Sequence, residues 1–285
     1  MNLKFLLSLS LLTLTLFTSH HTCKGLAFHE LMTNEEAIEF ADLTFPNIGK
    51  ANSKDAAYPM AAPLITPKAV LTLDKDYLGQ PFVPTSVEFE DVSYQVEKIT
   101  LIPGENFQIC WLDKEVENIQ PIPLNEDIEE NLDISQMVVI SFGPTCDPTT
   151  RKFTHDYLKK AGTTTIEQRT KKYFYTLFKE PELNKKEERL APITPMECTL
   201  LLEDAGAILL SSHQGRFSLI GIGKVREDNI LIGLTDQPYY GHQSTYIRIS
   251  PIVQKIEIAL GLRKPYNYAG IFLYGALRFL EYMSY

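Results

Sequence analysis

Eight short runs of branched, aliphatic and aromatic residues constrain this chain more than any other feature: LITPKAVLTL (64–73), SVEFEDVSYQVEKITLI (86–102), FQICWL (107–112), MVVISFG (137–143), CTLLL (198–202), AILLSS (207–212), RFSLIGIGKV (216–225) and NILIGLT (229–235). Such residues fit a pleated, half-buried surface, and turn-forming residues lie between the runs. No strand–helix alternation separates them, and neither a GxGxxG fingerprint nor a P-loop occurs. The pattern predicts an all-β protein with two sheets or barrels.

Two segments depart from it. Residues 113–133 hold eight acids (Asp113, Glu115, Glu117, Glu126, Asp127, Glu129, Glu130, Asp133) against one base, Lys114, with Pro121 and Pro123 among them. This reads as an exposed connector between two halves. Residues 151–190 reverse the balance, with eleven Lys/Arg against six Asp/Glu, and their second half reads as partly helical. A solvated face is the plain reading of that basic segment, and a docking patch for an acidic partner is the sharper one.

The first residues carry one early charge, Lys4, and then an apolar and hydroxyl run too short to span a bilayer comfortably. They read as a secretory signal peptide over 1–25, ending between Ser19 and Gly25. Secretion to the extracellular space is the resulting expectation. The net charge of −9 argues against nucleic acid as a partner. No Asn-x-Ser/Thr sequon is present, and none of the four cysteines has a zinc-finger spacing with histidine, so no metal or other cofactor is expected. His155, His213 and His242 read as surface histidines.

At the other end, SPIVQKIEIALGL (250–262) offers Ser250 as N-cap, Pro251 at the first helical position and Gly261 as a stop. A helix over 251–261 is predicted. The apolar 263–285 extension, interrupted by Arg278 and Glu281, reads as an appended helical tail, with membrane contact through 266–285 as the minority alternative.

Six segments, in order, carry a likeness. They are LMTNEEA (31–37), AAPLITPKAVLTLDKD (61–76), NFQICWLDKEVENIQPIPL (106–124), ISFG (140–143), LEDAGAIL (202–209) and TYIRISPIVQKI (245–256). Together they resemble the trypsin/chymotrypsin family of serine proteases over about residues 31–262. The resemblance implies two six-stranded antiparallel β-barrels, the first over about 50–120 and the second over about 134–250, followed by the C-terminal helix. In it LMTNEEA looks like the mature start.

The family's chemistry needs a histidine to take the serine proton, a buried aspartate to orient that histidine and the serine that attacks. The resemblance puts Lys75 at the histidine position, Asn106 at the aspartate position and Ala205 at the serine position. Ala205 has no hydroxyl to acylate. A lysine with a pKa of about 10.4 has no free lone pair at neutral pH. An Asp→Asn change at the aspartate position alone costs on the order of 10⁴ in rate. Glu203 stands where an oxyanion-hole glycine is usual, and its carboxylate would oppose the developing anion. Lys224, Val225 and Arg226 occupy the strand that pairs with substrate, with Arg226 expected to plug the pocket. No catalytic residue is therefore expected.

Asp204 is kept. The resemblance makes it the receiver of a new N-terminal ammonium, but Leu31 follows His29-Glu30, with no basic residue there for a trypsin-like activator. Pairing with another cation and ordinary turn capping both stay open. The family's disulfides are lost in pairs, at Met60 with Asp76 and at Met137 with Ser211. Loop neighbourhood in the family implies a Cys146–Cys198 disulfide instead, with Cys110 a core thiol. The function expected is that of a secreted pseudoenzyme binding an extracellular protein partner, as a cofactor, decoy or regulator in a proteolytic or defence pathway. An acidic partner at 151–190 is the first candidate. The alternatives are a hydrolase with an unrecognised nucleophile and a membrane-surface protein held by its tail.

Overall fold

The computed structural model describes residues 26–28, 33–56, 58–76, 78–124, 137–146, 153–154, 156–179, 182–184, 189–191, 196–200, 204–213, 215–224 and 242–264. The described chain is mostly strand. Strand β1 (Ala27–Phe28) precedes helix α1 (Asn34–Thr44), and six strands follow: β2 (Ile48–Ser53), β3 (Met60–Thr66), β4 (Ala69–Leu73), β5 (Pro84–Phe89), β6 (Val92–Leu101) and β7 (Phe107–Leu112). These six close into an antiparallel barrel in the order β2-β3-β4-β7-β6-β5. Closure leaves no unpaired edge, with β5 returning to β2 through Ala51 opposite Val87. Val70, Leu71, Phe89, Phe107 and Ile109 are among its fully buried side chains.

The second half begins with β8 (Met137–Ser141), β9 (Thr145–Cys146), β10 (Phe153–Thr154), β11 (Lys160–Thr164), β12 (Ile166–Arg169) and β13 (Tyr173–Leu177). It continues with β14 (Glu182–Asn184), β15 (Arg189–Ala191), β16 (Cys198–Thr199), β17 (Ile208–His213), β18 (Arg216–Lys224) and β19 (Gln243–Arg248). Seven of these form one sheet in the order β11-β8-β17-β18-β19-β13-β12. Its two end strands, β11 and β12, are separated in the chain by Thr165 alone, so the sheet curls until its ends meet. Within the 151–190 segment, expected to be partly helical, the described residues form strands and no helix.

One apolar cluster runs through both halves. It joins Leu64, Val70 and Ile109 of the barrel to Ile140, Ile208, Leu219 and Ile247 of the curled sheet. The connector is laid onto this cluster. Val116 and Ile122 are buried, while Asp113, Glu115 and Glu117 face water. Ile122 N donates to Leu64 O at 2.8 Å, and Leu219 N donates to Pro123 O at 2.9 Å. Residues 125–136, with the other five acids, lie outside the described residues.

Helix α1 stands where a protease-like mature start was expected. Its entry is a capping box: Glu36 N donates to Thr33 Oγ1 at 3.2 Å, and Thr33 N donates to Glu36 Oε2 at 2.9 Å. The Glu36 carboxyl sits below the usual range because those Thr33 donors favour its charged form. Ala37 and Ala41 are fully buried, and the helix packs against β11.

The C-terminal helix also begins differently from the expectation. Ser250–Ile252 form a single 3-10 turn, and α2 (Val253–Ala259) follows with no side-chain cap from Ser250. Gly261, at φ +76°, ends it as predicted. Lys255 reaches back to the first barrel, donating to Pro103 O at 3.4 Å and pairing with Glu105. Residues 265–285, including the expected tail helix, lie outside the described residues. Among the described residues no helix is long and apolar enough to cross a membrane.

Candidate functional site

Strand β4 ends at Leu73, and its continuation sets Lys75 in an isolated bridge with Pro81. Gln108 braces this end from within the barrel, donating from Nε2 to Leu73 O at 3.0 Å and Phe82 O at 2.7 Å. Asp74 N donates to Asn106 O at 3.3 Å, which brings the Lys75 and Asn106 backbones side by side. Both side chains are exposed. The Asn106 amide makes no hydrogen bond to a described residue, so nothing there orients a base.

Asp76 closes the loop that follows. Its Oδ1 accepts from Leu78 N at 2.9 Å and Gln80 N at 2.8 Å.

Ala205 lies on the Asp204–Ala207 turn and is 6% exposed. Gly206 takes φ +88°, a conformation that side chains disfavour, and a Cβ there would stand 3.2 Å from the Met60 side chain. The turn is stitched to the end of β18: Gly206 N donates to Gly223 O at 3.0 Å, and Gly223 N donates to Ala207 O at 2.7 Å. Met60 opens β3, which runs antiparallel to β4, so the start of β3 and the end of β4 lie at the same end of the barrel. The Ala205 turn therefore meets the same end of the barrel as Lys75 and Asn106. Lys224 follows Gly223 directly. Glu203, Val225 and Arg226 lie outside the described residues.

Beneath the turn sits a buried polar network that sequence reasoning did not find. The Ser141 hydroxyl donates to Asp204 Oδ1 in a short hydrogen bond and accepts from Gly143 N at 3.1 Å. Lys160, 1% exposed, donates from Nζ to Asp156 Oδ1 at 2.6 Å and to the carbonyls of Gly143 and Leu158, both at 3.3 Å. Burial pulls the Lys160 ammonium's pKa down, while Asp156 and then Asp204 pull it back up. Asp204 thus lies in the field of an internal cation whose own ion pair is with Asp156. Four side chains spread over residues 141–204 make the network, so no local motif announced it.

The cysteines correct one expectation and support another. Cys198 is a free buried thiol, and the Cys146–Cys198 disulfide is not formed. The reason is in the small sheet β10-β9-β1-β16. Strand β1 stands between the two cysteines: Ala27 pairs with Cys146 on one side, and Phe28 pairs with Cys198 on the other. Two strand spacings of about 4.8 Å each exceed the Cα separation of roughly 7 Å that a disulfide tolerates. The Cys198 sulfur instead packs on Gly162, where a Cβ would stand only 2.6 Å away. Burial, then Asp204 and Glu197, push the Cys198 thiol up. Cys110 is the expected core thiol, pushed up to about 12 by burial and touching Thr72 Oγ1 at 3.7 Å.

Two pairs of hydroxyls near the site have structural partners. Ser211 and Ser218 bond each other at 3.1 Å across β17 and β18, and Thr199 and Ser244 do so at 2.8 Å. His213 is exposed and His242 half-buried. Compared with known proteins, the sequence matches no family model and no curated protein.

Proposed function

We propose that the chain is a secreted, non-catalytic homologue of the trypsin-like serine proteases that works as a protein-binding module. A closed antiparallel barrel beside a curled sheet is compatible with that fold. The observation that carries the functional reading is the alanine on the Asp204–Ala207 turn. The turn is fixed from three sides, by Met60, Gly223 and Ser141, yet it presents a methyl group where acyl transfer needs a hydroxyl. At the positions where the resemblance puts the family's histidine and aspartate, Lys75 and Asn106 supply neither an imidazole nor a carboxylate to orient one. Loops around such a frame remain free to bind.

The reading is tested by incubating the purified protein with a broad peptide library and reading the products by mass spectrometry. No cleavage is expected. Cleavage that copurifies with the protein would overturn the reading in favour of a hydrolase with another nucleophile.

A further inference from the structure

The turn between β12 and β13 is braced more firmly than an exposed hairpin needs. Thr170 N donates to Tyr173 O at 2.8 Å, and Tyr173 N donates to Thr170 Oγ1 at 2.9 Å. Beneath it, Arg248 N donates to Lys172 O at 2.9 Å, and the Arg248 guanidinium donates to Thr170 O while lying 5.0 Å from the centroid of the Phe174 ring. The turn's carbonyls are thereby drawn inward onto a buried cation, and Lys171 and Lys172 are left facing water.

Lys172 Nζ sits 5.7 Å from the Tyr173 ring centroid, and Lys224 Nζ, from the end of β18, sits 5.9 Å from the same centroid. Tyr175 lies beside that ring, centroid to centroid at 6.2 Å. Among the described residues no carboxylate pairs with Lys171, Lys172 or Lys224. The acid of this hairpin, Glu167, is already paired with Lys179. Two like charges held at one ring, over a third cation below, form a positive island on a chain whose net charge is −9.

We infer that the Thr170–Tyr173 turn and Lys224 form a docking patch for an acidic peptide segment of a partner protein. The inference deepens the binding-module reading and rests on it. Charge complementarity selects an anion. The size of the island selects a short one. A long polyanion would extend beyond the lysines that this turn and Lys224 present, whereas a peptide with two or three carboxylates ends where they end. The two ammonium groups lie within about 12 Å of each other, within reach of the roughly 7 Å spacing of alternate side chains on an extended strand. Holding both lysines against one ring reduces the ordering lost on binding, and the half-buried Tyr173 and Tyr175 add apolar surface beside them.

The test is fluorescence polarisation of the purified full chain with fluorescein-labelled hexaglutamate, at low salt and at 0.15 M salt, with hexaserine as control. Saturable binding that weakens with salt is expected. Lys172→Glu/Lys224→Glu should weaken it at least about tenfold, while Lys54→Glu on the first barrel leaves it unchanged. Should the double variant fail to fold, Lys172→Glu alone, on the exposed turn, should still weaken binding at least about threefold. Absence of binding at low salt, or binding indifferent to these reversals, overturns the proposal. Tighter binding of a heparin oligosaccharide or a short oligothymidylate with the same lysine dependence overturns the peptide assignment. Cleavage of the peptide library bears on the binding-module reading alone, so the two failures are distinguishable.

Discussion

Replacing Lys160 by methionine tests what holds the Asp204–Ala207 turn. Methionine matches the length of the lysine stem, so packing is nearly conserved. The chemistry lost is specific. Asp156 Oδ1 loses a 2.6 Å partner, the Gly143 and Leu158 carbonyls each lose a donor, and Asp204, 1% exposed, loses the field of the Lys160 ammonium. Asp156 is half-buried and can be rehydrated; Asp204 cannot. Breaking a buried charge pair from one side costs about 3–5 kcal/mol, and relief of the lysine's own desolvation lowers this. A loss of about 3 kcal/mol at neutral pH is expected. At about 2–4 °C per kcal/mol, the thermal midpoint should fall by roughly 6–12 °C. Circular dichroism melts of Lys160→Met and of Lys160→Met/Asp204→Asn are the assay. The double variant should recover part of the loss, because it removes a buried negative charge that the ammonium's field had offset. A single variant within about 0.5 kcal/mol of the parent, or a double variant no better than the single, would refute the reasoning.

Three further outcomes are expected. Ala205→Ser alone should give no burst of acylation with an active-ester substrate, because Lys75 and Asn106 still lack the base and its orienter; a stoichiometric burst would contradict the placement of that turn. Gly162→Ala should cost about 1–3 kcal/mol in urea unfolding, since its Cβ would meet Cys198 Sγ at 2.6 Å and the Phe28 ring at 2.7 Å; an unchanged midpoint would mean that β1 does not pack there. Cys110 has a folded pKa raised from about 9 to about 12, so its contribution to stability is full below pH 9 and is lost as pH rises toward 12, at about 1.4 kcal/mol per unit. Urea midpoints of the parent should therefore fall more steeply over that range than those of Cys110→Ala, and equal slopes would place the thiol in contact with water.

The strands that were legible in the sequence are those whose side chains do their own work. AVLTL, FQICWL, MVVIS and RFSLIGIGK are apolar over most of their length and appear as β4, β7, β8 and β18. Strand β2, IGKANS, carries little intrinsic preference and exists because the barrel closes over it. Gly49 lets Glu88 O and the Phe89 ring come within 2.9 Å of where a Cβ would stand. YFYTL was hidden by the basic residues around it, although its alternation is of period two, with Phe174 and Thr176 buried between half-buried neighbours. Helix α1 was also readable, from Thr33 and Glu36 at capping-box spacing, and was missed because a likeness to a protease start competed for the same residues. The short β1 was beyond reach. Two residues carry no periodicity, and its position between β9 and β16 is what forbids the disulfide that the likeness implied.

The contacts of the Ala205 turn show why its geometry can outlast a hydroxyl. Every described bond that fixes it runs through the backbone of Gly206, Ala207 and Gly223 or through the carboxylate of Asp204, and none passes through the side chain at 205. Stability and acyl transfer are thus separable at this position. The separation is not neutral with respect to the residue chosen. In an active site a serine here is bonded to its histidine. With Lys75 and Asn106 in place, a hydroxyl on a residue only 6% exposed would have to find a new partner or go without, at a cost of about 1–3 kcal/mol. With no histidine at Lys75, physical chemistry therefore favours alanine over serine at 205, and Ala205→Ser should lower stability as well as fail to cleave.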